Sequence, residues 1–139
     1  MTPNGKAIHL SDRAQGYANY PHARHVGNLI FVSGISSRRP DNTWEGVETG
    51  PDGHIVLDIA KQTHAVIKNI EAILERAGAS LKNLVDVTVF LTDMAHYQAF
   101  NAVYNQYFNV ESGPARTTIA VKQLPHPNLL IEIKSVAAL

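Results

Sequence analysis

The run Leu84-Val85-Asp86-Val87-Thr88-Val89-Phe90-Leu91, with the stretch from Asp58 to Ala77 before it, decides the fold class. In the first, Val85, Val87, Val89 and Leu91 alternate with Asp86, Thr88 and Phe90, the period of a strand. In the second, Ile59, Thr63, Val66, Ile67, Ile70, Ile73, Leu74 and Ala77 recur at helical spacing. Asp58 favours the start of that helix and Gly78 its end. Further along, Thr92-Asp93 reads as the cap of a second helix running to about Phe108, with Phe100, Val103, Tyr104, Tyr107 and Phe108 as its apolar face. Gly113-Pro114 breaks the chain, and Thr117 to Val121 and Leu130 to Ala138 read as strands joined through Leu124-Pro125-His126-Pro127-Asn128. Toward the N-terminus, Ala23-Arg24-His25-Val26 and Leu29-Ile30-Phe31-Val32-Ser33 flank Gly27-Asn28, a two-residue hairpin signal. Gly34 is expected to end the second strand, and Ile35 to Gly53 to form a long loop.

The order of elements is two or three strands, helix, strand, helix, strand, strand. Two amphipathic helices on one face of a mixed sheet, an α+β fold, satisfy that order. The 139 residues fit one domain spanning 1–139. Val87, Val89 and Ile133 are too apolar for water on both sheet faces, so the face away from the helices is expected to pack against another subunit.

Composition narrows the function. Lys plus Arg equals Asp plus Glu at 12 each, so the formal charge is zero, which argues against binding nucleic acid through bulk positive charge. The absence of cysteine excludes disulfides, thiolate catalysis and Cys-ligated zinc or iron–sulfur clusters. The seven histidines show no metal-binding spacing, so no metal is expected, and no phosphate-cradling glycine loop supports a nucleotide cofactor. No apolar run reaches the length of a membrane span and no signal-peptide core opens the chain, so a cytoplasmic protein without membrane contact is expected.

Two charges stand out. Arg116 in Gly113-Pro114-Ala115-Arg116-Thr117-Thr118 and Glu132 in Leu130-Ile131-Glu132-Ile133 each interrupt a run that otherwise reads as buried strand. A buried charge is costly unless it is paired or used. On neighbouring strands the pair would make either a structural salt bridge or a site that grips an anion and moves a proton. Guanidinium pairs with a carboxylate in a two-pronged geometry, and a desolvated carboxylate suits a general acid or base that handles water. His126, between two prolines, sits on a rigid loop that could hold it at a site, whereas His64 reads as solvated. Arg38-Arg39 forms a small cationic cluster in the long loop, and Phe100 and Tyr104 read as helix core.

Several stretches together resemble the Rid/YjgF family of imine deaminases. They are Tyr20-Pro21-His22-Ala23, Val26-Gly27-Asn28-Leu29-Ile30-Phe31-Val32-Ser33-Gly34, Val85 through Met94, Phe100-Asn101-Ala102-Val103-Tyr104, Gly113 through Thr118, and Ile131-Glu132-Ile133. The resemblance is collinear over nearly the whole chain. It implies a chorismate-mutase-like trimer, or a higher homo-oligomer, with cofactor-free sites between subunits that take a small carboxylate substrate. Arg116 matches the family's carboxylate-binding arginine, Glu132 its water-positioning glutamate, and Tyr20, Gly34 and Asn101 other residues near the pocket. Thr118 stands where some members have cysteine, and Lys134 where many have a second glutamate. Two loops, Ser33 through Thr43 and Gln123 through Pro127, narrow the resemblance to members acting on an amino-substituted hexadienedioic acid. Arg38, Arg39 and His126 lie in those loops and are candidates for its distal carboxylate. General 2-iminoacid deamination, a small-acid sensor and an RNA-acting protein are the rival readings.

Overall fold

The structure is a computed structural model that describes residues 2–139. In chain order the elements are β1 (Lys6–Ile8), β2 (Ala23–Val26), β3 (Leu29–Ile35), β4 (Val47–Thr49), β5 (Ile55–Leu57), α1 (Ile59–Arg76), β6 (Leu84–Leu91), α2 (Tyr97–Tyr107), β7 (Ala115–Ala120) and β8 (Ile131–Ala138). Six strands form one sheet in the order β1-β2-β3-β8-β6-β7, and β4 and β5 pair separately. Within the large sheet only β6 and β7 run parallel. A parallel pair needs a crossover, and α2 supplies it.

Both helices lie on one face, as the α+β reading expects. The core joins Val66, Ile70, Ile73 and Leu74 of α1 and Phe100 and Tyr104 of α2 to Ile30, Val32, Val87, Val89, Leu91, Ile131 and Ile133 of the sheet. The β-branched residues of α1 each cost a few tenths of a kcal/mol in helix propensity, whereas burying each yields about 1.5–3 kcal/mol, so packing decides. The Asp58 side chain accepts a hydrogen bond from Lys61 N at 3.0 Å and caps α1, and Gly78, at φ 84, turns the chain out of it.

Four details differ from the sequence reading. The ladder between β6 and β8 slips between Leu84 and Asp86, so Leu84 and Val87 face the core while Val85 is left 46% exposed. Gly34 does not end β3, which continues to Ile35 across a second irregularity. The long loop holds β4, which pairs with β5 just past its expected end, and the turn residues Gly50 to Gly53 between them mask the alternation. Asp93 caps a short 3₁₀ turn, Met94–His96, before α2 begins.

A fifth difference concerns the open face. Val87, Val89 and Ile133 point toward the helices. The outward face carries other apolar residues: Phe31 pairs with Val136, and Ile119 with Phe90. Phe31, Val26 and Ile119 are exposed there.

Asp58→Ala should lower the unfolding free energy by about 1 kcal/mol through loss of the α1 cap. A urea titration at fixed protein concentration checks this as a lower midpoint with an unchanged slope.

Candidate active site

Glu132 lies on β8 between Ile131 and Ile133, whose side chains fill the core, so its own side chain leaves the opposite side of the strand. The adjoining strand β3 is irregular between Val32 and Ile35, and this brings Gly34 against the carboxylate. A Cβ on Gly34 would collide with Glu132 Oε1, the end of a flexible side chain, so glycine here lets the carboxylate keep its place. Burial raises the Glu132 pKa above the ordinary carboxyl value. Among the described residues it enters no ion pair. Lys134, two positions on, instead donates to Val32 O at 3.0 Å.

A cleft of about 830 Å³, open solvent at its mouth included, runs from Glu132 past Gly34 and Tyr20 to Arg38, Trp44 and His126. Its walls are loops tied to the core. His22 is buried, accepts from Leu10 N at Nδ1 (3.2 Å) and bonds Ala14 O through Nε2 (2.9 Å). Its neutral form with the proton on Nε2 satisfies both contacts and fixes the segment carrying Tyr17 and Tyr20. Ser33 Oγ donates to Pro21 O at 2.7 Å, beside Tyr20. Asn69 of α1 donates to Ser36 O at 2.9 Å. Arg38 lies over the Tyr17 ring at 4.0 Å and donates to Gln15 O and to Asn42 Oδ1.

Arg116 stands elsewhere. It sits on the edge strand β7 opposite Val87, which places it on the helix side of the sheet. Its guanidinium lies 4.7 Å from the Tyr104 ring centroid and 5.1 Å from that of Phe100, and Nη2 donates to Tyr97 Oη at 3.1 Å. Burial raises the Tyr104 pKa, opposed by the Arg116 charge. No carboxylate pairs with Arg116 among the described residues.

The strands of Arg116 and Glu132 are therefore not neighbours: β6 lies between β7 and β8, and the two side chains leave opposite faces. A salt bridge within one chain is ruled out by this order, and so is a substrate held between the two within one chain. The parallel crossover through α2, which spacing along the sequence does not reveal, is the cause.

Of the other candidates, Tyr20, Gly34, Arg38 and His126 line the Glu132 cleft. Arg39 is turned out into an ion pair with Glu45 at 2.8 Å, and Asn101 lies half-buried on α2 outside the cleft. His64, read as solvated, meets Tyr107 Oη at 2.7 Å and links the two helices. Sequence reasoning passed over Tyr17, Trp44 and Tyr97. The lone tryptophan of the chain, in a polar loop, was the available signal for Trp44.

The fold and cleft define a small α+β protein with a desolvated carboxylate at one place and an aromatic-cradled arginine at another. The family model described as Endoribonuclease L-PSP matches residues 11–139. A RutC family protein of Pyrococcus abyssi is 44% identical over 119 residues, covering 85% of this chain and 84% of its own. The 3-aminoacrylate deaminase RutC of Acinetobacter baylyi is 41% identical over 120 residues, covering 86% of each. Among solved structures, the yeast protein YEO7 superposes with a TM-score of 0.82 at 36% identity, covering 96% of this chain and 97% of its own. The chain belongs to the Rid/YjgF family.

Gly34→Ala should displace the Glu132 carboxylate, and a crystal structure of the variant checks this as a moved side chain or a shifted β3. The raised Glu132 pKa has a consequence for stability. The folded chain holds this proton to higher pH than the unfolded chain. The favourable contribution is complete below the unfolded carboxyl range and is lost as pH rises through the folded value. Glu132→Gln should therefore match or exceed wild-type stability at neutral pH and lose that advantage in acid, as read from urea midpoints across pH.

Proposed function

We propose that this protein is a cofactor-free enamine/imine deaminase whose substrate is 2-aminomuconate, with 4-oxalocrotonate and ammonia as products. The observation that carries the reading is Glu132: a desolvated, unpaired carboxylate in a cleft that extends well beyond it. A carboxyl group with a raised pKa holds a proton more firmly than an ordinary carboxylate, which suits a group that takes a proton and gives it back. Similarity to a 3-aminoacrylate deaminase supports the same reaction class.

The chemistry needs no redox step. Protonation of the enamine on carbon gives an imine, whose carbon accepts water. Glu132 takes a proton from that water as the C–O bond forms. It returns that proton to nitrogen to give a carbinolamine. The carbinolamine hydroxyl proton then passes through Glu132 to nitrogen as C=O forms and the C–N bond breaks, so ammonia leaves an oxo acid. Arg116 clamps the carboxylate beside the reacting carbon.

Since Arg116 and Glu132 of one chain face apart, the complete site would draw Arg116 from a second copy, in a homotrimer. Arg116 lies on an edge strand, and the exposed Phe31, Val26 and Ile119 give the sheet an apolar face to bury. An RNA-cleaving role, as the family description reads, has less support, because a chain of zero formal charge offers no bulk attraction for phosphates.

Ammonia release from enzymatically generated 2-aminomuconate tests the proposal, beside a three-carbon imino acid as comparison substrate. Wild type should favour the six-carbon acid in kcat/KM, and a preference for the shorter substrate would sink this assignment in favour of general 2-iminoacid deamination. Arg116→Ala should lower kcat/KM by about 10²–10³-fold. Glu132→Gln should lower kcat by about 10²–10⁴-fold with KM little changed. Sedimentation should give a trimer at micromolar concentration.

A further inference from the structure

The far end of the cleft has a chemistry distinct from the end at Glu132. Trp44 and His126 stack there with ring centroids 3.9 Å apart and planes at 28°. The two residues come from loops more than eighty positions apart in sequence. His126 Nδ1 accepts a hydrogen bond from Asn128 N at 3.1 Å, so that nitrogen carries no proton. In the neutral ring the proton is then on Nε2, which becomes a donor. Trp44 Nε1, also donor-only, is buried and has no hydrogen-bond partner among the described residues. Arg38, 4.0 Å over the Tyr17 ring, adds a guanidinium to the same cleft. The indole N–H lacks an acceptor, and the guanidinium, although bonded to Gln15 O and Asn42 Oδ1, keeps further N–H groups, a set that suits an anion.

One buried side chain sets this arrangement. Gln62 of α1 is fully buried, donates from Nε2 to Asn128 O at 2.9 Å and accepts at Oε1 from Leu130 N at 2.9 Å. It also abuts Gly46, where an added Cβ would lie 2.6 Å from Gln62 Cγ. Gln62 thereby fixes the loop of His126 and, two residues from Gly46, the loop of Trp44. A buried amide satisfied on both its ends holds geometry better than a loop alone.

We infer that Trp44, His126 and Arg38 form a subsite for the second carboxylate of a flat, conjugated six-carbon diacid, with Gln62 as its positioning residue. The inference rests on the proposed reaction for the near end of the same cleft. The stacked rings supply a planar wall for a diene, and the indole and imidazole N–H groups with the guanidinium supply the anion's partners. Arg39 takes no part, because Glu45 holds it outside.

Trp44 is the only tryptophan, so intrinsic fluorescence reports this subsite directly. Wild type is titrated with muconate, a hexadienedioate lacking the amino group, and with sorbate, the matching hexadienoate with one carboxylate. Muconate should perturb Trp44 emission and bind about tenfold more tightly than sorbate. His126→Phe, which keeps the stack and removes the donor, should erase most of that preference, and Gln62→Leu should weaken it without touching either carboxylate's partners. Equal affinity for the two acids, an emission that ignores muconate, or a preference that survives in His126→Phe would each overturn the subsite. Muconate preference without turnover of 2-aminomuconate would sink the substrate assignment and keep the subsite. Turnover without the preference would sink the subsite alone.

Discussion

The placement of one half-buried carboxylate on β8, flanked in sequence by two core isoleucines, governs how the site is built. Ile131 and Ile133 must face the helices, which forces Glu132 out the other side of β8. Among the described residues no cation pairs with it, so the surroundings must tolerate a carboxyl group by shape. The irregular ladder of β3 and the bare Cα of Gly34 give it that room. A regular strand with any side chain at position 34 would fill the space that the carboxylate uses. An unpaired, half-buried carboxyl group is tolerated more readily protonated than charged, and this ties the fold around β8 to the raised Glu132 pKa.

Much of the fold was legible because its signals are local. The Gly27-Asn28 turn, the stripe of α1 and the cap at Asp58 each announce themselves within a few residues, and all three stand in the structure. What could not be read is non-local. The place of β6 between β7 and β8 depends on which way α2 crosses, and the phase of Val85 depends on how β8 pairs with it. The hairpin β4–β5 is three residues to a strand and buries little, so its sequence looks like loop.

The site divides along the same line. Arg116 and Glu132 were conspicuous as charges in apolar runs, but their relation was not, because strand order decides it. Arg38 and His126 share the cleft, and Arg39, chemically identical to its neighbour, does not, because Glu45 lies within reach. The pairing of Trp44 with His126, and of Gln62 with the loop after it, arises from contacts across more than sixty residues of chain. Sequence identifies the groups able to do chemistry, and the three-dimensional arrangement selects among them.

The central position of β8 also bears on how the chain folds. The hairpin β2–β3 and the α1–β6 unit form from nearby segments, yet the two halves of the sheet join only through β8, with Leu29 paired to Ala138. Closing so long a loop carries a large entropic barrier before any contact offsets it. Until β8 inserts, β3 and β6 each present an unpaired edge, the form of exposure most prone to pairing with other chains. The strand that bears Glu132 is thus the keystone of the sheet, and a change there that slows insertion would lower soluble yield before it altered a single contact in the cleft.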